Sequence, residues 1–297
     1  MNIKTITHSW AVALTVFTGN AFAQTHSAPG AQADTQQVQV QHIRNATIKV
    51  VYVDTTFLVD PMLAPKGTYP GFEGTYRSEL RNPMIDLPIS AQAVIEGVDA
   101  VIVTHTHLDH WDDAAQELLS KDIPLFAQNE ADASLIRSQG FTDVRILEKS
   151  AGFGGVKLSK AGGQHGTGSM YSSPELANIL GNVMGVVFEA PGQKTIYVAG
   201  DTTWRSEVAQ TLDNYNPDVI ILNTGDARVI GFQDSIIMGK EDTLRAYKAA
   251  QNATIISVHM DTINHTALSR EELGGFVQEN DIQNRVMVPA DGEVMRF

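Results

Sequence analysis

Residues 101–111 read VIVTHTHLDHW and hold three histidines and one aspartate within six positions. They begin with an apolar run that is typical of a buried strand. Because side chains alternate along a strand, His105 and His107 project together, and the turn that follows lets Asp109 and His110 approach from another side. Imidazole nitrogens and carboxylates are ligands of Zn²⁺ and similar cations. The segment therefore predicts a metal site rather than a solvated polar turn.

Three more candidate ligands follow apolar, strand-like runs elsewhere in the chain. They are His165 in AGGQHGTGS, Asp201 in TIYVAGDTT and His259 in TIISVHMDT. Taken alone, a histidine is usually structural and a Gly-Asp pair is usually a turn. Their repeated position at the end of a predicted strand is the stronger signal, since adjacent strand ends meet in space and can share one site.

The ordered motifs HTHLDH, GQHG, AGDT and VHM resemble those of the metallo-β-lactamase superfamily of hydrolases, over most of residues 42–297. The phrases FLVDP, IYVAGDT and ISVHMDT are similar to the branch that contains ascorbate-6-phosphate lactonase. The resemblance implies an α/β fold, a four-layer αββα sandwich with a two-metal site at the sheet edge. It also implies the ligand sets, with Asp201 as a bridge between a first metal on His105, His107 and His165 and a second on Asp109, His110 and His259.

We expect the two divalent ions to be zinc, with Mn²⁺ or Fe²⁺ as alternatives. Two such ions can share a bridging water and lower its pKa toward neutrality. The hydroxide would attack a small ester, lactone or amide-like substrate, with Asp109 orienting it as the catalytic residue. Two alternatives stay open: a phosphodiesterase acting on a small phosphorylated substrate, and a periplasmic metal-binding protein with little turnover. The chain has no cysteine, which excludes thiolate ligands and weighs against β-lactamases with a cysteine ligand.

Residues 61–90 carry five prolines and three glycines, and show no periodicity. A loop of this length in a compact domain is usually functional or disordered. We predict that it covers the metal cleft, with apolar walls from Tyr69, Phe72 and Tyr76 and an anion contact from Arg77 or Arg81. The alternative is a surface loop that packs its own side chains.

Three polar residues near the predicted strand ends are weaker candidates for substrate contacts. His265, six residues after His259, is an alternative ligand, but His259 is favoured because it ends a predicted strand. His265 then either faces the pocket as a substrate contact or lies at the surface. Asn223 and Asp226 follow a buried strand pattern in ILNTGDA, where a simple turn is the competing interpretation.

The elements that must position these groups are short β-rich runs, with helical patterns between the later ones. Continuously apolar runs such as Val219–Leu222 are typical of strands buried on both faces. Predicted helices include Asp112–Ser120, Asn129–Ser138 and Arg270–Glu279, the last opened by a Ser269/Glu272 capping box. No linker divides residues 42–297, which we interpret as one hydrolase domain.

The N-terminal sequence predicts that the protein is exported. A lysine, an apolar run and the triplet Ala21-Phe22-Ala23 occur in the order of a signal peptide over residues 1–23, and a polar lead-in follows over residues 24–41. The mature protein would be periplasmic or secreted, with no membrane attachment.

The net charge of -13 makes nucleic acid an unfavourable partner, so a small molecule is expected.

Overall fold

The computed structural model describes Met1, Ser9, Ala11 and residues 38–297. The predicted signal peptide and most of the predicted lead-in therefore lie outside the described residues. Strand β1 begins at Gln39, three residues before the predicted domain boundary at 42. Among the described residues, no helix has both the length and the apolar character needed to cross a membrane.

The fold contains fourteen strands and seven α-helices among the described residues. The strands are β1 (Gln39–Arg44), β2 (Thr47–Tyr52), β3 (Thr55–Val59), β4 (Ala100–Val103), β5 (Leu125–Ala127), β6 (Val144–Ile146), β7 (Ser150–Phe153), β8 (Val156–Gly162), β9 (Met184–Glu189), β10 (Ile196–Val198), β11 (Val219–Asn223), β12 (Thr254–Val258), β13 (Val286–Met287) and β14 (Val294–Arg296). The helices are α1 (Ala91–Ile95), α2 (Asp113–Leu118), α3 (Glu130–Ser138), α4 (Pro174–Leu180), α5 (Ser206–Tyr215), α6 (Lys240–Ala249) and α7 (Arg270–Glu279).

Two seven-stranded mixed sheets form the centre of the domain. Their strand orders are β14-β1-β2-β3-β4-β5-β6 and β13-β12-β11-β10-β9-β8-β7. Strands β3 to β6 are parallel in the first sheet, and β10 to β13 are parallel in the second. The carboxyl ends of parallel strands lie at one edge of their sheet, which is where the predicted ligands follow β4, β10 and β12.

Apolar side chains fill three layers of this fold. Between the sheets, Val50 and Ile102 of the first sheet belong to one buried cluster with Val186 and Ile256 of the second. The outer face of the first sheet packs on helices α1 to α3, and the outer face of the second on α5 to α7. Continuous burial of β4 and β11 follows from this arrangement, because both faces of these strands are covered. The predicted four-layer αββα sandwich is confirmed.

The predicted elements around the ligands match the structure closely, and several of the unpredicted ones are short. Helix α7 has the predicted bounds and its capping box, in which Ser269 and Glu272 bond each other's backbone N–H. Strands β5, β6 and β13 have two or three residues each, too few for a periodic pattern to stand out.

Candidate metal centre

Seven ligand-type side chains meet at the edge of the two sheets and fall into two groups. In one group, ring nitrogens of three histidines lie within 4.8 Å of one another, and in the other the same holds for ligand atoms of two aspartates and two histidines. The first group is His105, His107 and His165, and the second is Asp109, His110, Asp201 and His259. All seven candidate ligands predicted from the sequence are therefore brought together.

The three-histidine group is packed ring against ring. The ring centroid of His105 lies 4.5 Å from that of His107 and 5.3 Å from that of His165. Nε2 of His105 and Nδ1 of His165 are buried and have no hydrogen-bond partner among the described residues, while Nε2 of His165 is buried 3.3 Å from Oδ2 of Asp201 without the geometry of a hydrogen bond. A buried polar atom without a partner costs roughly 1–3 kcal/mol. A cation is the partner that several unpaired imidazole nitrogens facing each other can share.

The second group converges on the carboxylates of Asp109 and Asp201. Oδ2 of Asp201 lies 3.1 Å from Nε2 of His110 and 3.4 Å from Nε2 of His259, and the two Nε2 atoms are 3.1 Å apart. Oδ2 of Asp109 lies 3.3 Å from Nε2 of His259. Two carboxylates and two imidazoles aimed at one point are a donor set that suits a divalent cation.

Asp201 connects the two groups. Its Oδ2 is also 3.3 Å from Nε2 of His165, which belongs to the three-histidine group. The turn that presents it needs glycine at position 200, since Gly200 has a φ of +68° and a Cβ there would overlap the carbonyl oxygen of Met184. The carboxylate thus occupies the place that the predicted bridging ligand requires.

The charged groups of this cluster shift one another's pKa values. Burial alone would raise the pKa of Asp201, but His110 and His259 hold it well below its ordinary value. Burial likewise acts to lower the pKa of His259, yet Asp201 and Asp109 raise it to about 9. Burial and the neighbouring His110 and His107 lower the pKa of His105 well below its ordinary value, so its imidazole is neutral and available as a ligand.

Several further residues hold the ligands in place. Asp60 follows β3, and its Oδ2 lies 2.8 Å from Nδ1 of His110, while Thr104 donates to both of its oxygens. Asn223 donates to Oδ1 of Asp201 at 2.6 Å. His107 donates from Nε2 to the carbonyl oxygen of Ile179 at 2.9 Å. Contacts of this kind fix the orientation and tautomer of a metal ligand.

The role of Asp60 was missed in the sequence, although it has the same position after a buried strand as the predicted ligands. The phrase FLVDP contains it, so the signal was present. It was overlooked because Asp60 is far along the chain from the histidine cluster and β3 is the neighbour of β4 only in the folded sheet.

Asn45, in the turn between β1 and β2, forms hydrogen bonds with the segments that carry Asp109 and His259. Its side-chain amide donates to the carbonyl oxygen of Asp109 at 2.9 Å, and its own carbonyl accepts the N–H of His259 at 3.1 Å. His259 has a φ of +67°, a left-handed conformation that is uncommon for residues other than glycine. The backbone bond from Asn45 helps to hold it there, with the imidazole directed at the carboxylates.

A cavity of about 310 Å³ opens onto the cluster of seven candidate ligands. His107, Asp109, His165 and Asp201 lie at its polar end. The remaining wall is mainly apolar and comes from the 61–90 loop, from α4 and from the segment before α6. Its apolar residues include Phe72, Leu108, Leu176, Ile179, Leu180 and Ile236. No lysine or arginine is among its lining residues.

Some of the predicted substrate contacts line the cavity, and others do not. Phe72 and His265 line the cavity, and their ring centroids are 5.2 Å apart. Tyr69 does not reach it, because its ring is buried in a small cluster with Met62 and Ile263. Tyr76 is 46% exposed and lies outside the lining as well.

The predicted contacts from Asn223 and Asp226 are also corrected. Asn223 is buried behind the site, where its amide is occupied by Asp201. Asp226 pairs with Arg228 and faces a different cleft, beside α6 and α7. The predicted anion contacts are absent from the cavity lining too, since Arg77 donates to the carbonyls of Asn264 and Thr266, and Arg81 to those of Gly67 and Thr68.

Comparison with known proteins places the chain among metallo-hydrolases. The family model of the β-lactamase superfamily domain matches residues 55–260. The UPF0173 protein YddR of Bacillus subtilis is 46% identical over 88% of this chain and 100% of its own. The crystal structure of a possible metal-dependent hydrolase from Veillonella parvula has a TM-score of 0.87 and 53% identity, covering 88% of this chain and 99% of that one.

A second solved structure is similar over nearly the same range. It is that of an isothiocyanate hydrolase from Delia radicum gut bacteria, with a TM-score of 0.84 and 46% identity, covering 87% of this chain and 99% of that one. The likeness to ascorbate-6-phosphate lactonase inferred from the sequence stays a prediction.

Proposed function

This chain belongs to the UPF0173 family of metal-dependent hydrolases in the β-lactamase superfamily, and we propose that it hydrolyses a small, uncharged, mainly apolar substrate. Isothiocyanates are the substrate class that we propose first. The observation that carries the proposal is the cavity, whose wall beyond the ligand cluster is mainly apolar and includes no lysine or arginine.

An anionic substrate would find no lysine or arginine in that wall. A phosphate monoester or diester must be stabilised by cationic side chains, amide N–H groups or metal ions. No lysine or arginine among the lining residues could take this role, and the exposed carboxylate of Glu73 adds negative charge, so an anion would depend on the bound metal ions. A neutral substrate instead gains free energy from burying its apolar substituent, at about 25 cal/mol per Å². This favours neutral electrophiles over the phosphodiester alternative and over a sugar phosphate.

The donor set supports two divalent cations, which we propose to be zinc. His105, His107 and His165 would hold one, Asp109, His110 and His259 the other, and Asp201 both. When bound, such ions supply a water of lowered pKa and a Lewis acid for the electrophile. Mn²⁺ and Fe²⁺ suit the same nitrogen and oxygen ligands.

The chain's own residues then orient the reactants. The carboxylate of Asp109 lies on the cavity side of the cluster, where it accepts a hydrogen bond and a proton from the attacking water. Phe72 and Leu180 form apolar walls that hold the substituent of the substrate and exclude bulk water from the electrophilic carbon.

Isothiocyanates match this environment by their chemistry. They are uncharged, and their central carbon is an electrophile between nitrogen and sulfur. Addition of one water gives a thiocarbamic acid, and cleavage of its C–N bond with a proton on nitrogen gives a primary amine and carbonyl sulfide. The 46% identity to an isothiocyanate hydrolase over 87% of the chain adds support. A small ester, lactone or amide-like substrate fits the same cavity and is the second candidate.

We also propose that the enzyme is exported, because residues 1–23 have the order of regions found in signal peptides. N-terminal sequencing of the protein recovered from the periplasm of an expressing Gram-negative host tests this. A mature N-terminus at Gln24 is the expected result, and an intact chain retained in the cytoplasm would refute it.

The test of function is a hydrolysis panel on the zinc-loaded protein. It contains alkyl and arylalkyl isothiocyanates, an isothiocyanate with a carboxylate on its substituent, and a lactone, thioester, β-lactam and phosphodiester. We expect release of amine and carbonyl sulfide from the neutral isothiocyanates, and at least tenfold lower kcat/KM for the carboxylate analogue. Phosphodiester turnover above that of every neutral substrate would contradict the proposal, as would metal binding without turnover of any compound.

A further inference from the structure

We propose that His265 is a catalytic residue of this site, whose imidazole hydrogen-bonds the substrate heteroatom that gains electron density as water adds to the carbon. In an isothiocyanate this atom is the nitrogen or the sulfur, and in a lactone or ester it is the carbonyl oxygen. The inference rests on the proposed function and adds a residue that belongs to neither group of candidate metal ligands.

The first observation is an unused polar atom beside the reaction site. His265 is 6% exposed, and it lines the same cavity as Asp109, His165 and Asp201. Its Nδ1 is buried and has no hydrogen-bond partner among the described residues. Buried polar groups are nearly always paired in native proteins, so an unpaired one at a cavity wall requires an explanation. Since Nδ1 is covered, the ring atom that a substrate in the cavity can reach is Nε2, which is not fully buried and also has no hydrogen-bond partner among the described residues.

The second observation is that other polar groups of the wall are already occupied or exposed. The hydroxyl of Thr75 donates to the carbonyl of Phe72 and accepts from the side-chain amide of Asn264. Glu73 is exposed at the mouth and carries a negative charge. Among the lining residues outside the ligand groups, His265 is thus the side chain placed to hydrogen-bond a neutral substrate inside the cavity.

The third observation is that the imidazole is held in position by the loop it faces. Asn264, the residue before it, accepts the N–H of Phe72 at 3.0 Å and an amide hydrogen of Asn82 at 2.8 Å. The ring of Phe72 then packs against His265, and the His265 carbonyl accepts the N–H of Arg228 at 2.9 Å. A donor fixed before the reaction stabilises developing charge without the cost of reorientation.

This geometry assigns two functions to neighbouring groups. The ring of Phe72 contacts the apolar substituent, while His265 contacts the heteroatom next to the electrophilic carbon. The nucleophile would be oriented from the ligand cluster, where Asp109 and Asp201 line the same cavity. The charge that develops on the heteroatom would then be stabilised by an N–H group of His265.

The experiment compares His265→Phe and His265→Gln with wild type and with Glu79→Gln, a change at an exposed position of the same loop. The assay uses the best substrate of the hydrolysis panel. Removing one donor from an oxyanion-type site costs about 10²–10³-fold in kcat. We expect this loss for His265→Phe with less than a threefold change in KM and unchanged metal content, a partial loss for His265→Gln, and no change for Glu79→Gln.

A second measurement does not depend on turnover. N-benzylurea, an inert neutral compound with a carbonyl flanked by nitrogen, is titrated into zinc-loaded protein labelled with ¹⁵N at histidine. We expect the ring nitrogen signals that are missing from His265→Phe to shift on binding, and the dissociation constant to rise at least fivefold in that variant.

The outcomes separate the two proposals. A wild-type protein that hydrolyses nothing in the panel overturns the proposed function, and the catalytic role of His265 with it. An active wild type together with a fully active His265→Phe variant overturns only the role of His265. Equal losses of activity and metal content in both His265 variants would show a structural effect and would also overturn it.

Discussion

The carboxylate of Asp60 lies 2.8 Å from Nδ1 of His110, at a position where both side chains are buried. A carboxylate accepts hydrogen bonds, so Nδ1 must carry the proton and Nε2 is left to face Asp201 and Asp109. Thr104 donates to Asp60 from its backbone and its hydroxyl, which keeps the carboxylate in place. The ligand atom of His110 is therefore selected by a residue that does not itself reach the candidate metal position.

Replacement of Asp60 by asparagine should weaken metal binding by about 10- to 100-fold, the usual cost of losing the partner that orients a metal-bound histidine. The amide is close in size but carries no charge, so it stabilises the Nδ1–H tautomer less. Zinc affinity measured by chelator competition checks this. Asp54→Asn, at an exposed position between β2 and β3, is the control and should keep wild-type affinity.

The metal stoichiometry should follow the two groups of ligands. We expect up to two divalent ions per chain in wild type, one fewer in His105→Ala, and a loss at both positions in Asp201→Ala, because its Oδ2 is close to nitrogens of both groups. Elemental analysis after dialysis against zinc checks this. A wild-type chain that retains no transition metal and takes up none would refute the site.

The local sequence was informative about the ligands and less so about the cavity wall. His105, Asp201 and His259 could be predicted because each directly follows a continuously apolar run, which marks a buried strand. Phe72 and Tyr76 look alike in the sequence, yet only Phe72 reaches the cavity. What separates them is the contact between Asn264 and the 61–90 loop, and this joins residues 188 and 192 positions apart. No periodicity in the loop encodes such a contact.

Substrate preference should depend on Phe72 and not on Tyr76. Phe72→Ala removes an apolar wall beside the substituent, so we expect a rise in KM for arylalkyl isothiocyanates and a smaller change for methyl isothiocyanate. Tyr76→Ala removes an aromatic ring of similar size from the exposed surface of the same loop and should leave both values unchanged. Steady-state kinetics on the two substrates, with metal content measured in parallel, distinguish these outcomes. Identical substrate profiles for all three proteins would contradict the assignment of this wall.

The stability of the metal-free protein should depend on pH through His265. Burial lowers the pKa of this residue to about 4, below its ordinary value of 6.5. Its proton is therefore bound more weakly in the folded state. The resulting contribution to stability is fully present above pH 6.5 and is lost as pH falls toward 4.

His265→Gln removes this titration. Between pH 7 and pH 4 the free energy of unfolding should fall by on the order of 3 kcal/mol more in wild type than in the variant, since each pKa unit corresponds to about 1.4 kcal/mol. Urea unfolding in the presence of a chelator at several pH values measures the difference. Parallel pH curves for the two proteins would mean that the imidazole is not held neutral by burial.

The change that bears most directly on mechanism is Asp109→Asn. A helix-capping role for Asp109 is already excluded by the structure, because the side chain that accepts the N–H of Ala115 at the start of α2 belongs to Asp112. Asp109 instead directs its carboxylate at His259 and lines the cavity. Asparagine keeps the size of the side chain and removes its charge and its capacity to accept a proton.

We expect kcat of Asp109→Asn to fall by roughly a hundredfold to ten-thousandfold, the range for loss of a positioned general base. Zinc bound by His105, His107 and His165 should remain, because none of these side chains is altered. Affinity for N-benzylurea should change far less than turnover, since the apolar wall that holds a neutral ligand is intact. Asp113→Asn, an exposed acid in the first turn of α2, should behave as wild type in all three measurements. A near-normal kcat in Asp109→Asn, with metal bound as in wild type, would require a different acceptor for the proton of the attacking water.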